Sequence, residues 1–381
     1  MTTFISTIFG LAGMLFFFLA FIKDKPSTKR TYKMLAGAFI LLFPFIMTSW
    51  VQGINTALVY AILAIGLNIL LGNAGQISLG HAAFYAVGAY ISSALVLHAE
   101  LPLFLSILLA GIGTAIVGFL LGTPVLRLKG HFLGIATLGL HVLIYNLVKD
   151  KLKGVVFGAS AKMPEVHKIS YLTKSWEYSL KNSLSSLDYQ IEILGKSKPF
   201  YYDFVDTITK SIGQITEYFI IFVILVLLVY MARNILRTKV GRALAALRDS
   251  EVAARMLGVN IAIFKNIAFG LSAFYAGIAG AIYAHTTGAL DETSFELTIS
   301  LMILAMIIIG GIATIQGAII GAFFFQVLNM QVIPLIFSSG KGQMLGSTIM
   351  GLCVVLAVIF VPKGIVYMLW QMKIKLTQKR S

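Results

Sequence analysis

Residues 66–90 read GLNILLGNAGQISLGHAAFYAVGAY. Two apolar segments meet here at a short polar joint, Gly72 to Gly80, which carries Asn73, Gln76 and Ser78 and leads into His81. Irregular polar backbone survives at membrane depth only where protein surrounds it or a water-filled path runs past it, because lipid cannot satisfy its N–H and C=O groups. If the flanking segments cross a bilayer, the joint is the first place to look for a route through it.

Composition says that they do. Of 381 residues, 58% are hydrophobic and 12% charged, with a mean hydropathy of +0.90. A soluble domain carries about 25% charged residues. Apolar runs close to the roughly 20 residues that cross a hydrocarbon core recur near 3–22, 34–50, 53–71, 77–97, 101–121, 131–148, 214–232, 264–284, 295–310, 314–331 and 343–361. The pattern predicts an all-α polytopic membrane protein of about 10 to 11 transmembrane helices. A porin-like barrel would instead show weakly alternating segments of about 10 residues. The pair 295–310 and 314–331 turns on Gly310-Gly311 with no charged residue, as a partial hairpin would.

The net charge of +15 is a topology signal. The loop KDKPSTKRTYK (23–33) holds five Lys/Arg beside short spans, which places it in the cytoplasm by the positive-inside rule. Alternating sides from there, the inner segments collect 19 Lys/Arg against the acids Asp24, Asp249 and Glu251, and the outer ones hold 11 Lys/Arg against 12 acids. One orientation, N-terminus outside and C-terminus cytoplasmic, accounts for the whole excess, and no nucleic acid is needed. The first segment, MTTF followed by an apolar run, has no leading positive charge and is expected to remain as a helix. Cys353 is the only cysteine, so an intrachain disulfide and a two-cysteine redox or metal motif are excluded.

Three parts follow: an N-terminal half of the membrane domain (1–148), an extracytoplasmic insert (149–213) with ten Lys and seven acids, and a C-terminal half (214–381) that includes a cytoplasmic loop at 233–263. Within the insert, VVFGAS and YYDFVDTITKSI fit strand or helix equally well. Small residues recur at helix-contact spacing: Ser78, Ala82 and Ala86; Ala273, Gly277 and Ala281; Ala276, Gly280 and Ala284; Gly118 and Gly122; Gly317 and Gly321. Such stripes let backbones approach closely in lipid, and helix packing is their first meaning.

Several chemistries are absent. No G-x-x-x-x-G-K-[ST], H-E-x-x-H or G-x-S-x-G occurs, and histidines 81, 98, 131, 141, 167 and 285 lie apart from carboxylates at metal-ligand spacing. The sequence predicts no enzyme and no cofactor or metal held by this chain. Ion-coupled carriers keep charged groups deep in the membrane; here His81 and His141 are the main ionisable candidates, with Glu217 and Glu296 near span ends. A driving force would come from another subunit. At the joint, Asn68, Gln76, Ser78 and His81 can line a path for a small polar solute, or hydrogen-bond one another as glue between helices.

The loop RNILRTKVGRALAALRDSEVAARMLGVNIAIFKN (233–266) is held inside by Arg233, Arg237, Lys239 and Arg242. Asp249 or Ser250 can cap a short helix, Glu251 suits its positive end, and Gly258 can end it. Such a helix can dock a cytosolic partner, or lie as a charged connector at the headgroups of membrane lipid.

Joint and loop together resemble the branched-chain amino-acid ABC importer permease family, specifically its LivM-type subunit. The resemblance rests on the joint, on GRALAALRDSEVAARMLGVN with IAFGLSAFYAGIAGAIYA (267–284), on SLMILAMIIIGGIATIQGAIIGAFFF (300–325) and on LRLKGHFLGIATLGL (126–140), across roughly 50–148 and 214–365. It implies a permease half in a bacterial cytoplasmic membrane. A homologous LivH-like permease, two cytosolic ATPase subunits that use ATP, and an extracytoplasmic solute-binding protein would complete the importer. Arg242, Asp249, Glu251, Ala253, Ala254 and Gly258 would form its ATPase coupling loop, and Gly277, Gly280, Gly310, Gly311, Gly317 and Gly321 would pack its helices. Insert 149–213 departs from the pattern by its length. The competing expectation is a self-contained facilitator or secondary transporter for a small polar solute.

Overall fold

A computed structural model of the chain describes residues 48–125, 128, 131–148, 200–288 and 290–329, with single positions at 351, 364, 367 and 371. The expected spans at 3–22, 34–50 (but for its last three residues) and 343–361 (but for position 351), and most of the insert, lie outside the described residues. Among the described residues there are helices and no strand. Five helices are long and apolar enough to cross a membrane, or six with one bent pair counted as a span.

Helix α1 (Thr48–Asn68) runs on through a π turn (Ile69–Asn73). The extended joint follows, then α2 (His81–Ala99), α3 (Leu103–Val125) and α4 (His131–Leu147). Helix α5 (Phe200–Arg237) contains an apolar span, Gly213–Arg237, and its first turns resolve YYDFVDTITKSI as helix. Two short helices, α6 (Lys239–Asp249) and α7 (Glu251–Met256), lead to the long α8 (Ile261–Thr287). A 3-10 turn (Glu292–Phe295) precedes α9 (Leu297–Gly310) and α10 (Ile315–Val327).

Helices α9 and α10 bend at 118° across Gly311–Thr314, so the partial hairpin expected at Gly310-Gly311 is present. Gly311 has φ +127. A side chain at Gly310 would meet the carbonyl of Gly317, and one at Gly321 that of Met306, so the two limbs touch backbone to backbone.

Helices α1 and α8 form the centre, with α8 packed on α1, α2 and α3. The small residues of α8 explain this: Ala273, Ala276, Gly277, Gly280, Ala281 and Ala284 are all buried. A Cβ on Gly280 would lie 2.9 Å from the Ala89 nitrogen, and one on Gly277 2.6 Å from the Thr114 Cβ. Helix α3 reverses the arrangement of a soluble helix. Its small and polar side, Ser106, Ala110, Gly111, Thr114, Gly118 and Gly122, faces inward, while Phe104, Leu108, Ile112, Ile116 and Leu120 are exposed at every fourth position. In lipid no hydrophobic gain comes from hiding large apolar side chains, so close packing of small ones decides which side turns in. One small-residue stripe is shorter than the sequence suggested: Ser78 lies in the extended joint, ahead of the helix that carries Ala82 and Ala86.

Buried polar groups pair across the helices. Ser92 Oγ lies 2.8 Å from His285 Nε2 and 3.2 Å from Ser106 Oγ, joining α2, α8 and α3. The Tyr275 hydroxyl donates to the Leu228 carbonyl at 2.7 Å, joining α8 to α5. Each such bond contributes roughly 0.6 kcal/mol in a membrane.

Candidate functional site: the joint and the helix pair beneath it

The joint is an extended segment held by its neighbours. Gly75 turns the chain out of α1 with φ +68, a conformation glycine adopts without a Cβ clash. Its N–H and that of Gln76 close the helix end on the carbonyls of Leu71 and Leu70. Burial then alternates: Gln76, Ser78 and Gly80 are buried, and Ile77 is 37% exposed. Period-two alternation is that of a strand, and here it turns the polar side chains inward. Helices from elsewhere in the chain satisfy the backbone. The Leu79 N–H donates to Thr137 Oγ1 of α4 at 3.0 Å, and the Ala82 N–H to Ser300 Oγ of α9 at 2.9 Å. Gly80 lies against the Thr137 carbonyl with no room for a side chain.

The polar residues of the joint region have different surroundings, and the buried Oδ1 of Asn73 has no partner. Asn68 is buried, and its Oδ1 accepts the Ala313 N–H at 2.9 Å, tying α1 to the bend between α9 and α10. His81 is buried with Nε2 3.1 Å from the Leu63 carbonyl and Nδ1 3.4 Å from Ser272 Oγ. Ser78 Oγ accepts the Gly80 N–H at 3.4 Å. Gln76 is 3% exposed, and neither its Oε1 nor its Nε2 has a partner. Nearby, His141 of α4 is buried, stacks on Tyr145 with centroids 6.0 Å apart, and leaves Nδ1 without a partner. Its Cβ lies 3.7 Å from where a side chain on Gly80 would begin. Asn68 and His81 are thus held as glue, while Asn73, Gln76 and His141 present unused hydrogen-bonding groups around the joint.

Beneath the joint lie α6 and α7. Thr238 caps α6 through the Val240 N–H at 3.2 Å. Ser250 ends α6 and starts α7, its Oγ accepting the Ala253 N–H at 3.2 Å. Of the two caps the sequence allowed, Ser250 is the one used. Gly258 (φ +78) closes α7: its N–H reaches the Arg255 carbonyl and the Val259 N–H that of Ala254, each at 3.0 Å. This pair of bonds is a Schellman stop. Ala254 is fully buried, and Glu251 is ion-paired with Lys265, whose side chain is almost wholly buried on α8. The outward side carries Val252, Met256 and Leu257, exposed by 72%, 84% and 78%. Arg242 donates to the Arg237 carbonyl at 3.3 Å within the connection, and Asp249 holds Arg248 at 3.0 Å. Sequence reasoning placed the helix and its ends but missed the outward apolar triad, the Lys265 anchor, and Thr137, Ser272 and Ser300. Hydroxyls inside otherwise apolar spans were the available signal for the last three.

Among the described residues no group of three His, Cys, Asp or Glu is placed to hold a metal. The family described as branched-chain amino acid transport system / permease component matches residues 49–361. The chain belongs to that permease family. It is similar to the high-affinity branched-chain amino acid transport system permease protein LivM of Salmonella typhimurium, at 30% identity over 96% of this chain and 81% of the relative. To LivM of Escherichia coli K12 it is 31% identical over 86% of this chain and 72% of the relative. The autoinducer 2 import system permease protein LsrC of Photorhabdus laumondii is 32% identical over 29% of this chain and 35% of its own length. No solved structure matches the chain. As a permease the molecule is a multi-pass membrane transport component and not an enzyme.

Proposed function

We propose that this permease is one half of the membrane pore of an ATP-driven importer for branched-chain or closely related amino acids. A LivH-like permease completes the pore, two cytosolic ATPase subunits drive it, and an extracytoplasmic binding protein delivers the solute. The observation that carries this reading is α7: capped at both ends, anchored from behind by Lys265, and presenting Val252, Met256 and the adjoining Leu257 outward. Large apolar side chains exposed together on a six-residue helix suit insertion into a cleft of a partner protein. Family membership and the LivM relatives support the same reading and the solute class. The joint supplies the path, with the Gln76 carboxamide meeting a polar solute and Asn68, Ser78 and His81 holding its walls.

The test is reconstitution. Complexes purified with their ATPases, with the binding protein supplied outside the vesicle, import radiolabelled leucine only when ATP is supplied inside, and the chain alone imports none. Leucine flux through the lone chain without nucleotide would establish the self-contained facilitator instead. Replacing Met256 and Leu257 by Ser leaves the chain folded and lowers ATPase co-purification at least tenfold.

A further inference from the structure

Gly72, the last buried residue of the π turn, is gripped on two sides. On one, the bend between α9 and α10 presses against it. A Cβ on Gly72 would lie 2.5 Å from the Ala313 nitrogen and 2.7 Å from its Cα, and the Asn68–Ala313 bond locks that contact. On the other, Arg248 reaches up from α6 and donates through Nη1 to the Gly72 carbonyl at 3.3 Å. That carbonyl is one of the last of α1, left without an intrahelical partner, and a cation is favoured at the negative end of a helix.

Arg248 also touches the joint by shape. Its Cα and Cγ lie 3.2 Å from where a Cβ of Gly75 would stand, one residue before Gln76. Its guanidinium is aimed by Asp249, whose Oδ1 accepts from Nε at 3.1 Å and from Nη2 at 3.0 Å, leaving Nη1 for Gly72. Helix α6 is itself firmly seated, with Leu244 and Leu247 buried, and it passes directly into α7 at Ser250, the residue that caps both. A continuous chain of short contacts therefore runs from the exposed apolar end of α7, through Ser250 and Arg248, to the two glycines that open the joint. Coupling across a protein requires such a contiguous element biased from both ends.

We propose that Arg248 is the positioning residue through which the α6–α7 pair moves the joint when the ATPases close. It acts on Gly72 and Gly75 and touches no solute. The proposal rests on the reading of the chain as an ATP-driven permease and adds the route by which force reaches the path. When α7 shifts, α6 carries Arg248 with it. Gly72 is drawn between Arg248 and Ala313, and the segment 74–80 follows.

Hydrogen exchange of the amides at 74–80 tests this in the full complex, compared without nucleotide and with ATP and orthovanadate. In the unaltered complex, trapping changes exchange across 74–80 by at least threefold. In R248M, which keeps the stem against Gly75 and loses the donors, ATPases still co-purify and the change disappears. R248K restores part of it. A residue that only held the helix end would alter exchange equally in both states and leave the difference between them intact, and that result overturns the proposal. So does an unaltered complex that hydrolyses ATP with no change at 74–80. Should R248M fail to fold, D249A removes the aiming acceptor at an exposed position and reduces the change by about half; an undiminished change there is equally fatal. A chain that recruits no ATPase at all refutes the functional reading itself and takes this inference with it.

Discussion

Gln76 combines two properties that oppose each other. Its carboxamide is buried at 3% exposure with both heteroatoms unpartnered, and an unsatisfied buried polar group costs about 1–3 kcal/mol. The fold would be more stable with an apolar side chain of similar size at this position. We expect Q76L to raise the thermal midpoint of the purified chain, by an amount corresponding to about 1 kcal/mol, while lowering leucine uptake at least tenfold with ATPase binding unchanged. Fluorescence-monitored unfolding and vesicle uptake measure the two effects. Lower stability with unchanged uptake would make Gln76 a structural residue. Asn68 and His81 differ in kind, since each is already hydrogen-bonded into a neighbouring segment, and substituting either destabilises the fold first.

At the scale of elements, legibility followed locality. The caps of α7 could be read from DSEVAARMLG because Ser250, Glu251 and Gly258 act within one turn of chain. The spans were legible because bilayer thickness sets helix length. The supports of the joint were not, since Thr137, Ser300 and Arg248 reach it from 58, 218 and 176 residues away, and no periodicity reports such pairings. The same holds for Lys265, which looks like an ordinary span-edge lysine until the fold sets it on Glu251. That pair is unequal: the Lys265 side chain is 6% exposed and that of Glu251 36%. Removing the acid strands a buried cation, whereas removing the lysine leaves a carboxylate that water still reaches. E251A is therefore expected to cost roughly 2–3 kcal/mol and K265M clearly less, with the double variant recovering part of the loss. Unfolding midpoints of the three proteins, with hydrogen exchange over 251–258 to report release of α7, measure this. Equal losses for both single variants would contradict the asymmetry.

For the whole molecule, contacts sort the polar segments onto two ends. Arg248–Gly72, Asn68–Ala313 and Lys265–Glu251 gather the start of the joint, the α6–α7 pair and the α9–α10 bend at one end. Ser92–His285, Ser92–Ser106 and Tyr283–Ser294 gather the ends of α2 and α8, the start of α3 and the 3-10 turn at the other. Charge divides the same way. Residues 233–265 hold seven Lys/Arg against Asp249 and Glu251, while residues 98–104 and 285–297 hold Glu100, Asp291, Glu292 and Glu296 with no Lys or Arg. By the positive-inside rule the first end is expected to face the cytoplasm. The sorting owes nothing to the rule, because packing alone brings those segments together. In a C353S background, single cysteines at Val252 and Ile312 are expected to react with an impermeant maleimide only in inside-out vesicles. Cysteines at Glu100 and Thr293 should react only in intact cells. Labelling of positions 252 and 312 from opposite sides would break the fold, since the bend and α7 would no longer share an end. Labelling of both from outside would keep the fold and reverse the orientation, leaving α7 out of reach of any cytosolic ATPase.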